Sequence, residues 1–150
     1  MAKLEYATSF RDLIVYQNAR ELSLTIFKLT KRFPEEEGYS LTDQIRRSSR
    51  STGAQIAEAW AKRRYEKHFV SKLTDSDGEQ QETQHWIEIA FDCGYISQEE
   101  EKLLHEKCAE IGRLLGGMIA KAEQFCNSSP YKIQEEQALY FIASSLKTED

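Results

Sequence analysis

Glu82 and His85, in the run Glu82-Thr83-Gln84-His85, come closest in this chain to metal chemistry. A Glu-x-x-His pair puts a carboxylate and an imidazole on one helix face. Two such pairs and two further glutamates make a di-iron centre in a helical bundle. No second pair is present, because Tyr65 stands three residues before His68 and Lys102 three before His105. The expectation is therefore a surface histidine beside a glutamate, with no metal and no cofactor. Nucleophilic chemistry has as little support: there is no Gly-x-Ser-x-Gly elbow. Nor is there a phosphate-cradling glycine loop, since Gly116-Gly117 falls inside a helical stretch. Cys93, Cys108 and Cys126 are odd in number, far apart and without a motif of a reactive thiol. They fit a reducing compartment better than a disulfide framework, and Cys108 reads as a small core residue. No catalytic residue is assigned, and the chain reads as a non-enzyme.

The basic residues carry more. Arg46, Arg47 and Arg50 lie at i, i+1 and i+4, nearly one helix face. Lys62, Arg63, Arg64 and Lys67 follow, next to Trp60 and Tyr65. Cations interleaved with aromatics suit phosphate contacts plus base stacking, so RNA or DNA is one candidate partner. The competing expectation is ion pairing with Glu35, Glu36, Glu58 or Glu66, or pairing across a subunit interface, where the guanidinium fork favours arginine. Between Ser40 and Lys72 there are eight basic and three acidic residues, a local net charge of +5 in a chain of net charge −5. Glu58 stands among small and apolar residues, where an unpaired carboxylate is costly to bury. The expected partner is an arginine, Arg46 or Arg50 of a neighbouring copy.

The elements that must position these residues are helices. The chain has 150 residues, 40% hydrophobic and 30% charged, with only two prolines and seven glycines. That is one domain with one core. No apolar run approaches the roughly 20 residues that cross a bilayer, and the N-terminus has no signal-peptide stretch, so a cytoplasmic protein away from membranes is expected. A Ser9–Asp12 capping box predicts a first helix from about Ser9, with Leu13, Tyr16, Ala19, Leu22, Ile26 and Phe33 as its stripe and Pro34 as its stop. Glu35-Glu36-Glu37-Gly38 reads as a solvated loop. Ser40 with Asp43 predicts a second box and a helix with the stripe Leu41, Ile45, Thr52, Ile56 and Trp60. Gly53 in its middle implies tight packing or a kink. The break before the third helix is placed at Lys62-Arg63-Arg64. That helix carries Tyr65, Phe69, Leu73, Ile87 and Phe91 around a polar centre of Ser76, Gln80, Thr83 and Gln84, and Gly94 ends it. The polar centre reads as a buried hydrogen-bond network or as a wet contact between subunits. Ser97 with Glu100 opens a fourth helix whose Leu104, Cys108, Ile111, Leu115, Met118, Ala122 and Phe125 alternate by four and three, an a/d seam. Short connections make neighbours antiparallel. The fold class is all-α, an antiparallel up-down-up-down four-helix bundle over residues 1–126. Residues 127–150 form a tail in which Leu139, Tyr140, Phe141, Ile142 and Leu146 suggest a short docking helix.

These residues also carry a resemblance. Ser40-Leu41-Thr42-Asp43-Gln44-Ile45-Arg46-Arg47-Ser48-Ser49-Arg50-Ser51, Ile56-Ala57-Glu58, Phe69-Val70-Ser71-Lys72-Leu73 and Cys93-Gly94-Tyr95 resemble the "four helix bundle protein" family, first met as products of intervening sequences in 23S ribosomal RNA genes. The opening Phe10-Arg11-Asp12-Leu13-Ile14-Val15-Tyr16-Gln17 is similar too, and the likeness runs from about Phe10 to Cys126. Gln55 stands where the family usually has Asn, and Gly53 lies where it often carries Pro. The resemblance implies a left-handed bundle that assembles as a ring-shaped homopentamer. It also implies kinship in fold with the accessory variability determinant of diversity-generating retroelements, which binds a reverse transcriptase and nucleic acid. The combined expectation is a homo-oligomeric, non-enzymatic scaffold or adaptor that binds itself and another protein. A nucleic-acid accessory protein is the second reading.

Overall fold

The computed structural model describes residues 7–126, and every regular element in that range is helical. Four long helices, α1 (Ile14–Thr30), α2 (Leu41–Ala61), α3 (Glu66–Asp92) and α4 (Gln98–Ala120), are followed by one turn of helix, α5 (Ala122–Cys126). Connections of four to ten residues return each helix against its predecessor, which gives the up-down-up-down bundle. The suggested tail helix lies outside the described residues.

One core runs the length of the bundle. Leu22, Ile26, Ile45, Ile56, Phe69, Leu73, Ile87, Leu104, Ile111, Leu115 and Met118 are all fully buried. Burying an aliphatic or aromatic side chain of this size contributes about 1.5–3 kcal/mol. The α4 seam is buried at every expected position, Cys108 included, and burial raises that thiol to about 12. The helix itself is interrupted: Lys121 adopts φ −113° and ψ 25°, so Ala122 and Phe125 reach the core from α5, with Phe125 stacked on Phe69 at 5.8 Å between ring centres. Tyr65 and Phe91, expected on the α3 stripe, are exposed. They stand at opposite ends of α3, and at the Phe91 end Ala90 and Ile96 close the core instead.

The helix ends show which local signals hold. Ser97 and Glu100 form the full reciprocal box at the start of α4. Ser9 and Asp12 form one as well, but it caps a single 3-10 turn, Phe10–Asp12, and α1 begins only after extended Leu13. The second box does not form. Ser40 makes no side-chain cap, and the N–H of Leu41 donates to Glu37 Oε2 at 3.1 Å. Glu37 also accepts from the Tyr95 hydroxyl at 3.3 Å, which ties the α1–α2 loop to the α3–α4 loop. The supposed solvated loop is thus a 3-10 turn that supplies a cap. Gly94 adopts φ 78°, and the N–H groups of Tyr95 and Gly94 donate to Ala90 O and Phe91 O, the bond pair that closes a helix through a left-handed glycine. The break at residues 62–64 is where it was expected.

The polar centre of α3 is a buried network. Ser76 Oγ donates to Thr52 O of α2 at 2.8 Å, and Thr83 Oγ1 lies 2.8 Å from Ser48 Oγ. Ser48, Thr52, Ser76 and Thr83 are all fully buried. Small polar side chains let α2 and α3 run close, and each hydroxyl finds a partner as burial requires. Gln80 turns to α4, accepts from Gln84 and donates to Asp77, beneath Gly112. Gly53 neither kinks nor strains α2. A β-carbon there would lie 3.7 Å from Ala19 Cβ, an ordinary contact.

Candidate functional site

The arginines of α2 follow from its helical period. The face bearing Leu41, Ile45, Thr52 and Ile56 is buried, so positions 46, 47 and 50 turn away from the core. Arg46 leans toward α1, where its Nε donates to Thr30 Oγ1 at 2.8 Å and its guanidinium lies 4.9 Å from the centre of the Phe27 ring. Arg50 stands 5.6 Å from the same ring, and Lys31 Nζ 4.7 Å from it. One aromatic ring therefore gathers three cations, each within the distance at which a ring quadrupole attracts a positive charge. The charge of Arg47 only partly offsets the upward pull that burial and Glu82 exert on the Glu79 carboxyl of α3, whose pKa lies above its ordinary value. Arg46, Arg47 and Arg50 line a concavity of about 440 Å³ with Gly38, Thr42, Asp43, Ser51 and Ala54.

The expected ion pairs with Glu35, Glu36, Glu58 or Glu66 are not made. Among the described residues none of these three arginines forms an ion pair with a carboxylate. Glu58 is exposed rather than buried, and its partner is Lys72 of the same chain, with Oε2 and Nζ 3.0 Å apart. The α2–α3 seam brings Lys72 there, and the hydrogen bond to Glu58 is the main reason the Lys72 pKa lies above its ordinary value. An arginine of a neighbouring copy is not needed to satisfy Glu58.

The second basic cluster is a separate surface. Arg50 and Lys62 are twelve residues apart, about 18 Å along a helix. At this end Arg63 folds back over Trp60, 3.5 Å from the ring centre, and its Nε donates to Trp60 O at 2.9 Å, which caps α2. Desolvation holds the Arg63 pKa below the usual guanidinium value. Trp60 is only 8% exposed beneath it and is not free to stack on a base. Tyr65 is the exposed aromatic of this cluster, with Arg64 5.9 Å and His68 5.4 Å from its ring. Lys62, Arg64 and Lys67 are exposed around it.

Glu82 and His85 are both exposed, with His85 beside Trp86 at 4.7 Å between ring centres. Among the described residues no three His, Cys, Asp or Glu side chains converge in a way that would hold a metal. No helix in that range is long and apolar enough to cross a membrane. The sequence reading missed Phe27 and Thr30. The i, i+4 spacing of Phe27 and Lys31 was a legible signal, but the arrival of Arg46 and Arg50 on that ring depends on how α1 and α2 cross.

Residues 11–117, which include every residue of the arginine face, match a family model described as 23S rRNA-intervening sequence protein. A crystal structure of a protein with unknown function from the S23 ribosomal protein family of Bacteroides thetaiotaomicron VPI-5482 is similar, at 30% sequence identity and a TM-score of 0.65. The likeness covers 71% of this chain and 96% of that one. Comparison with curated proteins finds no match.

Proposed function

The chain belongs to the 23S rRNA-intervening sequence protein family, and from that premise we propose that it is a non-enzymatic helical scaffold that assembles with copies of itself and docks an anionic partner on the outer face of α2. The observation that carries this reading is the set Arg46, Arg47 and Arg50, held side by side without a carboxylate partner. Like charges gathered on one surface repel, and an acidic partner surface relieves that repulsion while the guanidinium forks fix its register. A ring of five copies is the assembly we propose, in a cytoplasmic setting. An anionic surface of another protein, or of the next copy, is what we propose meets the arginines.

A second reading, an accessory protein that binds RNA or DNA, is favoured by one observation: exposed Tyr65 with Arg64 against its ring offers a stacking platform beside phosphate-binding cations. Light scattering and a fluorescent RNA and DNA titration, both run from 50 to 500 mM salt, separate the two. A scaffold keeps its mass and shows no nucleic-acid affinity at any salt. A nucleic-acid binder loses affinity with a log-log slope of about −0.9 per phosphate contact.

A further inference from the structure

We infer that the concavity under Arg46, Arg47 and Arg50 binds a phosphoryl group, in the form of a phosphate monoester. The inference rests on the reading of this face as an anion-docking surface and names the anion. Three features of the site select it. The first is charge: three guanidinium groups and the single carboxylate of Asp43 line the concavity, so it keeps a net positive charge that no ion pair among the described residues relieves. A phosphate monoester carries close to two negative charges at neutral pH. The second is number: three separate guanidinium forks line one concavity, Arg46 and Arg47 adjacent in sequence and Arg50 one turn further along α2. Several forks around one space can share the tetrahedral oxygens of a phosphoryl group, whereas the two coplanar oxygens of a carboxylate are satisfied by one fork.

The third is preorganisation. Arg46 is pinned at its Nε by Thr30 and braced, with Arg50, on the Phe27 ring. Side chains already held in place lose less freedom when they bind. Thr42 and Ser51 add hydroxyls to the lining, and about 440 Å³ leaves room for the group that the phosphate esterifies. The Lys62–Lys67 cluster shares the charge but has no comparable bracing of several cations on one ring.

The test is a titration of the full chain, followed by NMR at the arginine Nε–H groups, at constant ionic strength with phenyl phosphate, inorganic phosphate and an oligoglutamate peptide as probes. Saturable shifts at Arg46, Arg47 and Arg50 with phenyl phosphate are expected. Arg50→Gln should weaken that binding at least tenfold, Arg50→Lys should weaken it less, and Lys102→Gln, an exposed change on α4, should leave it unchanged. Inorganic phosphate binding as tightly as the ester shows that the phosphoryl group alone is recognised, whereas weaker binding shows that the ester group is also held. Shifts that never saturate, or that survive Arg50→Gln, overturn the inference. Saturation by oligoglutamate without saturation by phenyl phosphate overturns it too but leaves the docking reading standing. If no probe saturates, the docking reading falls with it. Arg50 is exposed and outside the core, so its variants keep the helical circular dichroism of the parent.

Discussion

Thr83 Oγ1 of α3 lies 2.8 Å from Ser48 Oγ of α2, and neither residue has any exposed surface. Thr83 Oγ1 is also 2.8 Å from Glu79 O. It has one proton to give, so a consistent arrangement has Thr83 donating to that carbonyl and Ser48 donating to Thr83. α2 and α3 are joined in this way through hydroxyls, where a purely apolar seam would use leucine and isoleucine.

Removing Thr83 leaves the buried Ser48 hydroxyl with only a long contact to Ile45 O at 3.4 Å. Thr83→Ala is expected to destabilise the bundle by about 1–3 kcal/mol, the usual cost of a lost buried hydrogen bond and the small void left with it. Urea unfolding followed by circular dichroism measures this. The double variant Ser48→Ala with Thr83→Ala should cost less than the sum of the two single changes, because the hydrogen bond they share is lost only once.

Two helical glycines should respond in opposite ways to alanine. At Gly53 the new methyl meets Ala19 and Tyr16 at 3.7 Å or more. Gly53→Ala should therefore raise stability by up to about 1 kcal/mol through helix propensity. At Gly112 the methyl would come within 2.9 Å of Gln80 Nε2, an amide already held by Asp77 and engaged by Gln84. Gly112→Ala is expected to lower the melting temperature despite the better propensity of alanine.

The Ser97–Glu100 box makes stability depend on acid. The backbone N–H of Ser97 is the largest cause holding the Glu100 carboxyl below its ordinary pKa of 4.5, with Arg32 adding to it. A carboxylate depressed in the folded state contributes stability that is present above its unfolded pKa and lost as pH falls through the folded one. Melting temperature measured from pH 7 to pH 3 should therefore drop more steeply below about pH 4.5 in the parent than in Glu100→Gln. Ser97→Ala should cost about 1 kcal/mol at neutral pH.

Arg63 is expected to act on structure and leave anion binding alone. Arg63→Ala uncovers Trp60 and removes a cation–ring contact worth about 0.5–2 kcal/mol. Tryptophan fluorescence should shift to the red and stability should fall. The phenyl phosphate titration should match the parent, which separates this arginine from those on the middle of α2.

Much of the bundle was legible because its signals are local or periodic. The α4 seam from Leu104 to Phe125 repeats by four and three, and each of those positions is buried. The closure at Gly94 and the box at Ser97 depend on residues a few places apart, and both form. The failures lie where a distant element takes over. Glu37 displaces Ser40 as the cap of α2 because a 3-10 turn carries its carboxylate to the helix end. Glu58 sits in an apolar stretch of sequence but on the outer side of the helix, opposite Lys72. Trp60 looked available for stacking until Arg63 closed over it. The grouping of Arg46, Arg50 and Lys31 on Phe27 needs the approach of α1 to α2, a relation that no spacing within one helix contains.

The central claim, that the outer face of α2 is where a partner sits, is tested most directly by placing a photo-crosslinking amino acid at Ala54, an exposed residue that lines the arginine concavity. A matched control carries it at Glu99 on α4, also exposed. After irradiation in cells, mass spectrometry of the purified adducts should find position 54 joined to another copy of the chain or to an anionic partner. That yield should fall several-fold when Arg46, Arg47 and Arg50 are changed to Gln, with position 99 giving little in either background. Equal yields at the two positions, or adducts at position 54 that persist without the arginines, would contradict the account.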